Sequence, residues 1–269
     1  MWNQKTFDSV NRQNEKTGKE AMEFFRKLFA TDDSGPSPGQ IRRAVKQATQ
    51  LHGEAASRLG AMERLSEWKT PEAAAALLRR FTIRTPQASM DLVEKQYAVK
   101  LLVGMGEIAV RPILNYLKTE PDVTFPVQAL KHICQSSDRF HVALLEVLDM
   151  LSSGYARWPE SKTVLITSLE DDAFPLVGET VSRFLEDDDD DVCIAAVDYL
   201  VHNGSENVRE KLVQVYLVAD GRPRVRGSIL DRFHEKEWDV KGHQKEVNAV
   251  ISPPFYLTSK GVVKRRGQG

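Results

Sequence analysis

Two stretches of this chain end a helix in the same way. Ala98, Leu102, Gly106, Val110 and Leu114 recur 98 residues later as Ala196, Leu200, Gly204, Val208 and Leu212. In each copy, apolar residues four apart carry one helix into a glycine, and a second amphipathic stretch follows at once. Less regular copies lie near Ala129, Leu165 and Ser228, so that positions 98, 129, 196 and 228 are separated by 31, 67 and 32 residues. A helix-pair unit of about 30–35 residues cannot bury its apolar face alone, and stacked neighbours supply the missing cover. The expected fold is therefore all-α, a right-handed α-α superhelix (an α-solenoid) of about six helix pairs.

Read along the chain, the pattern predicts an introductory helix over 38–52, then pairs at 54–67 with 71–81, 88–104 with 106–118 and 122–135 with 138–151. Further pairs are expected at 159–171 with 174–186, 189–202 with 205–218 and 222–235 with 240–251. Several boundaries carry stop and start chemistry: Ser37-Pro38 and Thr70-Pro71 as cap plus first-turn proline, Gly204-Ser205 as stop and cap, and Asp220-Gly221-Arg222-Pro223 as a turn. Phe255–Thr258 and Val262–Arg265 flank Ser259-Lys260-Gly261 and read as a short C-terminal hairpin covering the open face of the last pair. Three regions follow: an N-terminal arm over 1–35, a solenoid over 36–252, and a cap with a basic tail over 253–269.

The arm has one amphipathic segment, 18–30, with Phe24, Phe25, Leu28 and Phe29 on one face among Lys19, Glu20, Glu23, Arg26 and Lys27. The Gly- and Pro-rich run Thr31–Gly39 separates it from the first repeat helix. Such a face suits a groove on a protein partner, a membrane surface, or the uncovered end of the first repeat.

Charge divides the chain. Residues 1–84 hold 15 Lys/Arg against 10 Asp/Glu, residues 85–221 hold 11 against 23, and residues 222–269 hold 11 against 5. The acidic middle repels a phosphate backbone along most of the length, so nucleic acid is expected at the basic ends if anywhere. Candidate cations there are Arg42, Arg43 and Lys46; Arg79, Arg80 and Arg84; Arg222, Arg224 and Arg226; and Lys264-Arg265-Arg266. No apolar run approaches the ~18–20 residues that span a bilayer, and the first residues lack a secretory pattern. Cys134 and Cys193 stand apart without a CxxC, as in a reducing compartment, so a cytoplasmic location is expected.

The runs Asp190-Asp191-Val192-Cys193-Ile194-Ala195-Ala196-Val197-Asp198-Tyr199-Leu200 and Arg222-Pro223-Arg224-Val225-Arg226-Gly227-Ser228-Ile229-Leu230 resemble HEAT repeats, and more widely HEAT/armadillo-like solenoids. Cys193 and Asp220-Gly221 depart from the usual repeat pattern. The runs Ala73–Thr82, Phe184–Asp187 and Pro253–Leu257 with Gly261–Arg265 look like uncharacterised bacterial HEAT-repeat proteins, a likeness covering about 54–266. The resemblance implies a bacterial cytoplasmic binding protein and lends no activity.

No catalytic residue, cofactor or metal is expected. In Glu186–Asp191 the calcium-loop count fails, because Val192 and Asp198 stand where glycine and glutamate are needed; helix capping is the stronger reading, beside a docking patch for a basic partner or a weak cation site. The histidines His52, His132, His141, His202, His234 and His243 form no ligand pattern, and Gly104-Met105-Gly106 is not a phosphate loop. The function expected is a non-catalytic protein–protein interaction scaffold or adaptor. Its partner-binding candidates are Phe24, Phe25, Leu28 and Phe29 on the arm, Arg111, Asn115 and Lys118 on one second helix, and Arg209 and Gln214 on another. The alternatives are a nucleic-acid-binding or glycosylase-like HEAT protein, a HEAT-type lyase accessory subunit, and an adaptor recruited to a membrane by helix 18–30.

Overall fold

A computed structural model describes residues 35–152, 158–169, 175–204, 207–240 and 242–267. The described chain is mostly helical. In order the helices are α1 (Pro38–Ala48), α2 (Ala55–Glu67), α3 (Pro71–Leu78), α4 (Ala88–Met105), α5 (Val110–Leu117), α6 (Thr124–Cys134) and α7 (Ser137–Ser152). Then come α8 (Pro159–Thr167), α9 (Pro175–Ser182), α10 (Asp190–Asn203), α11 (Val208–Val218), α12 (Pro223–Glu235) and α13 (Gln244–Val250), followed by strands β1 (Phe255–Leu257) and β2 (Val263–Arg265).

The helix starts use the expected chemistry. Ser37 accepts from the Gln40 backbone N–H while its own N–H donates to Gln40 Oε1 at 2.7 Å, a reciprocal cap with Pro38 in the first turn. Thr70 Oγ1 accepts from Ala73 N at 3.2 Å ahead of Pro71. The repeated glycines both sit at helix ends with positive φ, Gly106 at 63° and Gly204 at 66°. Ser205 lies outside the described residues.

Three expected helices are not continuous. Residues 79–82, 106–109 and 183–186 are 3₁₀ turns joined to α3, α5 and α9, a tightening that satisfies terminal carbonyls where the chain reverses. The first helix stops at Ala48 rather than 52, where Thr49 turns its hydroxyl back on Val45 O at 2.8 Å. The last helix starts at Gln244 rather than 240. Val240 N donates instead to Gly261 O at 2.9 Å, and Asp239 bridges to Val262, so this segment lies along the hairpin. The hairpin itself is antiparallel, pairing Phe255 with Arg265, Tyr256 with Lys264 and Leu257 with Val263. It packs against α12 and α13, with Val263 fully buried.

Most helices pack on a sequence neighbour, and contacts between second neighbours arrange them in two layers. One layer runs α2–α4–α6 and α8–α10–α12; the other runs α1–α3–α5–α7–α9 and α11–α13. The residues of the repeated pattern fill the seam between layers: Ala98, Leu102 and Leu114, like Ala196, Leu200 and Leu212, are buried. Ion pairs tie each unit to the next with a regular sequence separation. Arg58 reaches Glu94 at a separation of 36, Arg111 reaches Glu146 at 35, Arg183 reaches Asp149 at 34, Arg222 reaches Asp190 at 32 and Arg232 reaches Asp198 at 34.

Candidate functional site

Two grooves open between helices of the second layer. The first lies between α3 and α5 and encloses about 700 Å³. Its apolar lining follows helical spacing: Pro71, Ala75 and Leu78 on α3 face Ile108 in the turn before α5 and Pro112 and Tyr116 along α5. Glu72, Arg79, Glu107, Arg111, Asn115 and Glu120 form the charged and polar rim. Phe81 backs Tyr116 edge-on, with ring centroids 6.4 Å apart. The Tyr116 hydroxyl is buried without a hydrogen-bond partner among the described residues. Burial, with Glu120 and Asp122 nearby, pushes its pKa well above the ordinary phenol value, so it stays protonated.

The second groove, about 1010 Å³, lies between α9 and α11 with Leu185, Val215 and the 75%-exposed Val218 among Glu179, Glu186, Glu210 and Gln214. Its arginines are already committed: Arg183 pairs with Asp149 at 2.5 Å and Arg222 with Asp190 at 2.7 Å. Lys211 also lines the groove and donates to Ser182 Oγ at 3.2 Å, so outside the pairs three glutamates stand against one lysine.

The predicted site residues fall into these two places rather than one. Arg111 and Asn115 line the first groove. Lys118 does not line it, but shares the Glu146 carboxylate with Arg111, at 2.7 and 2.6 Å. The Lys118 hydrogen bond, outweighing partial burial, holds the Glu146 carboxyl below the usual range. Gln214 lines the second groove and sits 3.3 Å from His243 Nε2. Arg209 turns instead to Asp239 at 3.2 Å. Phe24, Phe25, Leu28 and Phe29 lie outside the described residues.

Several residues of the basic clusters are engaged within the fold. Arg80 is fully buried and Arg79 pairs with Glu120 at 2.9 Å. Arg222 and Arg224 bind Asp190 and Asp191, Lys264 binds Glu237, and Arg265 binds Asp231. The acidic run is explained by the same contacts. Asp187 receives Lys162 at 2.6 Å, and Asp189 caps α10 by accepting from Asp191 N and Val192 N at 2.9 and 3.1 Å. Among the described residues no group of three or more His, Cys, Asp or Glu is placed to hold a metal ion.

Sequence reasoning missed a buried ionic network across α2, the turn after α3, and α4. Glu94, with no exposed surface, accepts from Arg58 Nε and Nη2 at 2.9 and 2.7 Å and from Arg80 Nε and Nη2 at 3.1 and 3.0 Å. Arg80 Nη2 also donates to Asp91 Oδ1 at 2.7 Å, as does Thr85 N at 2.9 Å. Lys95 extends the network to Asp91 at 3.4 Å and Asp122 at 3.0 Å, with the Phe125 ring 5.6 Å from its Nζ. Burial by itself raises the Asp91 and Glu94 carboxyls, but the arginine hydrogen bonds and charges, with the Thr85 N–H at Asp91, hold both below the usual range. A signal was present: Asp91, Glu94 and Lys95 are in helical phase with Ala98, Leu102 and Met105, so the charges share the buried stripe.

No family model, no curated protein and no solved structure matches this chain.

Proposed function

We propose that this chain is a non-catalytic protein–protein interaction scaffold, built as a right-handed HEAT-like superhelix of about six pairs. Second-neighbour helix contacts that run through two layers support that architecture, as do ion pairs spaced by about one repeat length. The observation that carries the function is the groove between α9 and α11, where exposed Val218 stands among Glu179, Glu186 and Glu210. An apolar strip rimmed by carboxylates favours a protein segment that presents apolar and basic side chains, and the acidic middle of the chain steers it there. The nucleic-acid reading has less support, because most of its candidate arginines and lysines are neutralised within the fold.

Affinity capture with the whole chain and with a Val218→Glu variant tests the reading, followed by reconstitution with the purified partner at two salt concentrations. The expected partner is basic, binds the natural chain in a salt-sensitive way, and is lost from the variant. Equal binding by both chains would remove this surface from the function.

A further inference from the structure

We infer that Asn203 is a modification site that the fold keeps closed. Ring closure by the Gly204 nitrogen expels its side-chain amide when the end of α10 opens, and the product then keeps that end from closing. Asn203-Gly204 is the one asparagine–glycine pair in the chain. Glycine carries no side chain to crowd the attack, so this pair cyclises more readily than Asn115-Tyr116, Asn207-Val208 or Asn248-Ala249. In the reaction the Gly204 amide gives up its proton and its nitrogen bonds to Asn203 Cγ. The Cγ–Nδ2 bond then breaks, and ammonia leaves with that proton. Water opens the resulting succinimide at either carbonyl, to aspartate or to isoaspartate, so water is the only co-reactant.

The fold withholds each requirement of that step. Asn203 is the last residue of α10, and helical ψ, about −42°, turns the following nitrogen away from the side-chain carbon. Gly204 N donates to Leu200 O at 3.2 Å, so the attacking nitrogen is occupied. Asn203 Nδ2 donates to Tyr199 O at 3.0 Å, which holds the amide over the preceding turn. Asn203 Oδ1 is buried without a hydrogen-bond partner among the described residues, so no donor stabilises the negative charge it gains under attack. Local opening of the helix end lifts all four restraints together.

The product blocks the return. Either acid puts a negative charge at the C-terminal end of α10, where the helix dipole opposes it and its oxygen was already buried without a donor. Isoaspartate also adds a carbon to the backbone ahead of Gly204, which takes the Gly204 N–H out of register with Leu200 O. α10 packs on α11, whose Glu210, Val215 and Val218 form one wall of the acidic groove, so the modification loosens that wall. The inference rests on the bonds at the end of α10 and holds whether or not the groove binds a protein.

The test holds the purified whole chain at pH 8, in buffer and in enough urea to unfold it, and follows the mass gain of deamidation by peptide mapping. In urea the gain should map first to Asn203. In buffer it should be at least about tenfold slower, equivalent to ~1.4 kcal/mol of opening. Val208→Ala trims a side chain that is 1% exposed at the start of α11. It should speed the reaction several-fold in buffer, with the circular dichroism unchanged, and leave the rate in urea alone. The modified fraction, separated by ion exchange, should have lost hydrogen-exchange protection at the end of α10 and in α11. Equal rates in buffer and urea overturn the inference, as does a gain that maps first to another asparagine. So does a buffer rate indifferent to Val208→Ala, or a modified chain that keeps its protection.

Discussion

Replacing Glu94 with alanine should be among the most damaging single changes in the first half of the molecule. Glu94 is fully buried and accepts four hydrogen bonds from two guanidinium groups, at 2.7–3.1 Å. Without it Arg80 keeps Asp91, but Arg58 keeps only the carbonyls of Gln50 and Gly53, so roughly one buried positive charge loses its counterion. Removing one partner of a buried pair costs about 3–5 kcal/mol. Arg183→Ala, which breaks a half-exposed pair with Asp149, should cost less than about 1 kcal/mol. Urea unfolding followed by circular dichroism compares the two, and hydrogen exchange localises the effect. Protection should fall in α2 and α4 and persist in α10 and α12. A double change, Glu94→Leu with Arg58→Met, which leaves Arg80 on Asp91, should recover most of the loss, because the penalty comes from an orphaned charge more than from missing attraction. If Glu94→Ala costs no more than Arg183→Ala, the network is not holding these helices together.

The same network sets a pH dependence. Asp91 and Glu94 have lowered carboxyl pKa values in the fold, so their contribution is fully present above the ordinary carboxylate range near ~4 and is lost as pH falls through the lowered values. Thermal melts between pH 7 and 2 should show that loss, and Glu94→Ala should show less of it. Gly204→Ala and Gly106→Ala should both destabilise although an added Cβ meets nothing within 4 Å at either site. Gly204 is left-handed (φ 66°, ψ 36°), a conformation costing alanine about 1–2 kcal/mol; Gly106 (φ 63°, ψ −138°) lies where alanine is strained by about 1–3 kcal/mol, so urea unfolding should rank it the worse. Burial pushes the Cys193 thiol up to about 11 and also raises Cys134, so neither should react with iodoacetamide at pH 8 until the protein unfolds, as intact mass reports.

Much of the helical order was legible in the sequence because it rests on local chemistry. Apolar spacing, Ser37-Pro38, Thr70-Pro71 and the two helix-ending glycines act within a turn or two of chain, and the structure uses each as read. The tail hairpin was legible for the same reason, through Gly261 and its flanking strands. At the last helix a distant partner moved the boundary, since Val240 left the helix to bond Gly261.

What tertiary structure decided was the meaning of the charges. Sequence grouped Arg79 with Arg80 and treated Glu186–Asp191 as one acidic run. Folding sends Arg79 to the groove rim and Arg80 into the core, and divides the aspartates among a cap, Lys162, Arg222 and Arg224. The grooves have the same origin, since each is made by helices that lie more than 30 residues apart in the chain. Periodicity reports which face of a helix is buried; it does not report which distant face comes to lie against it.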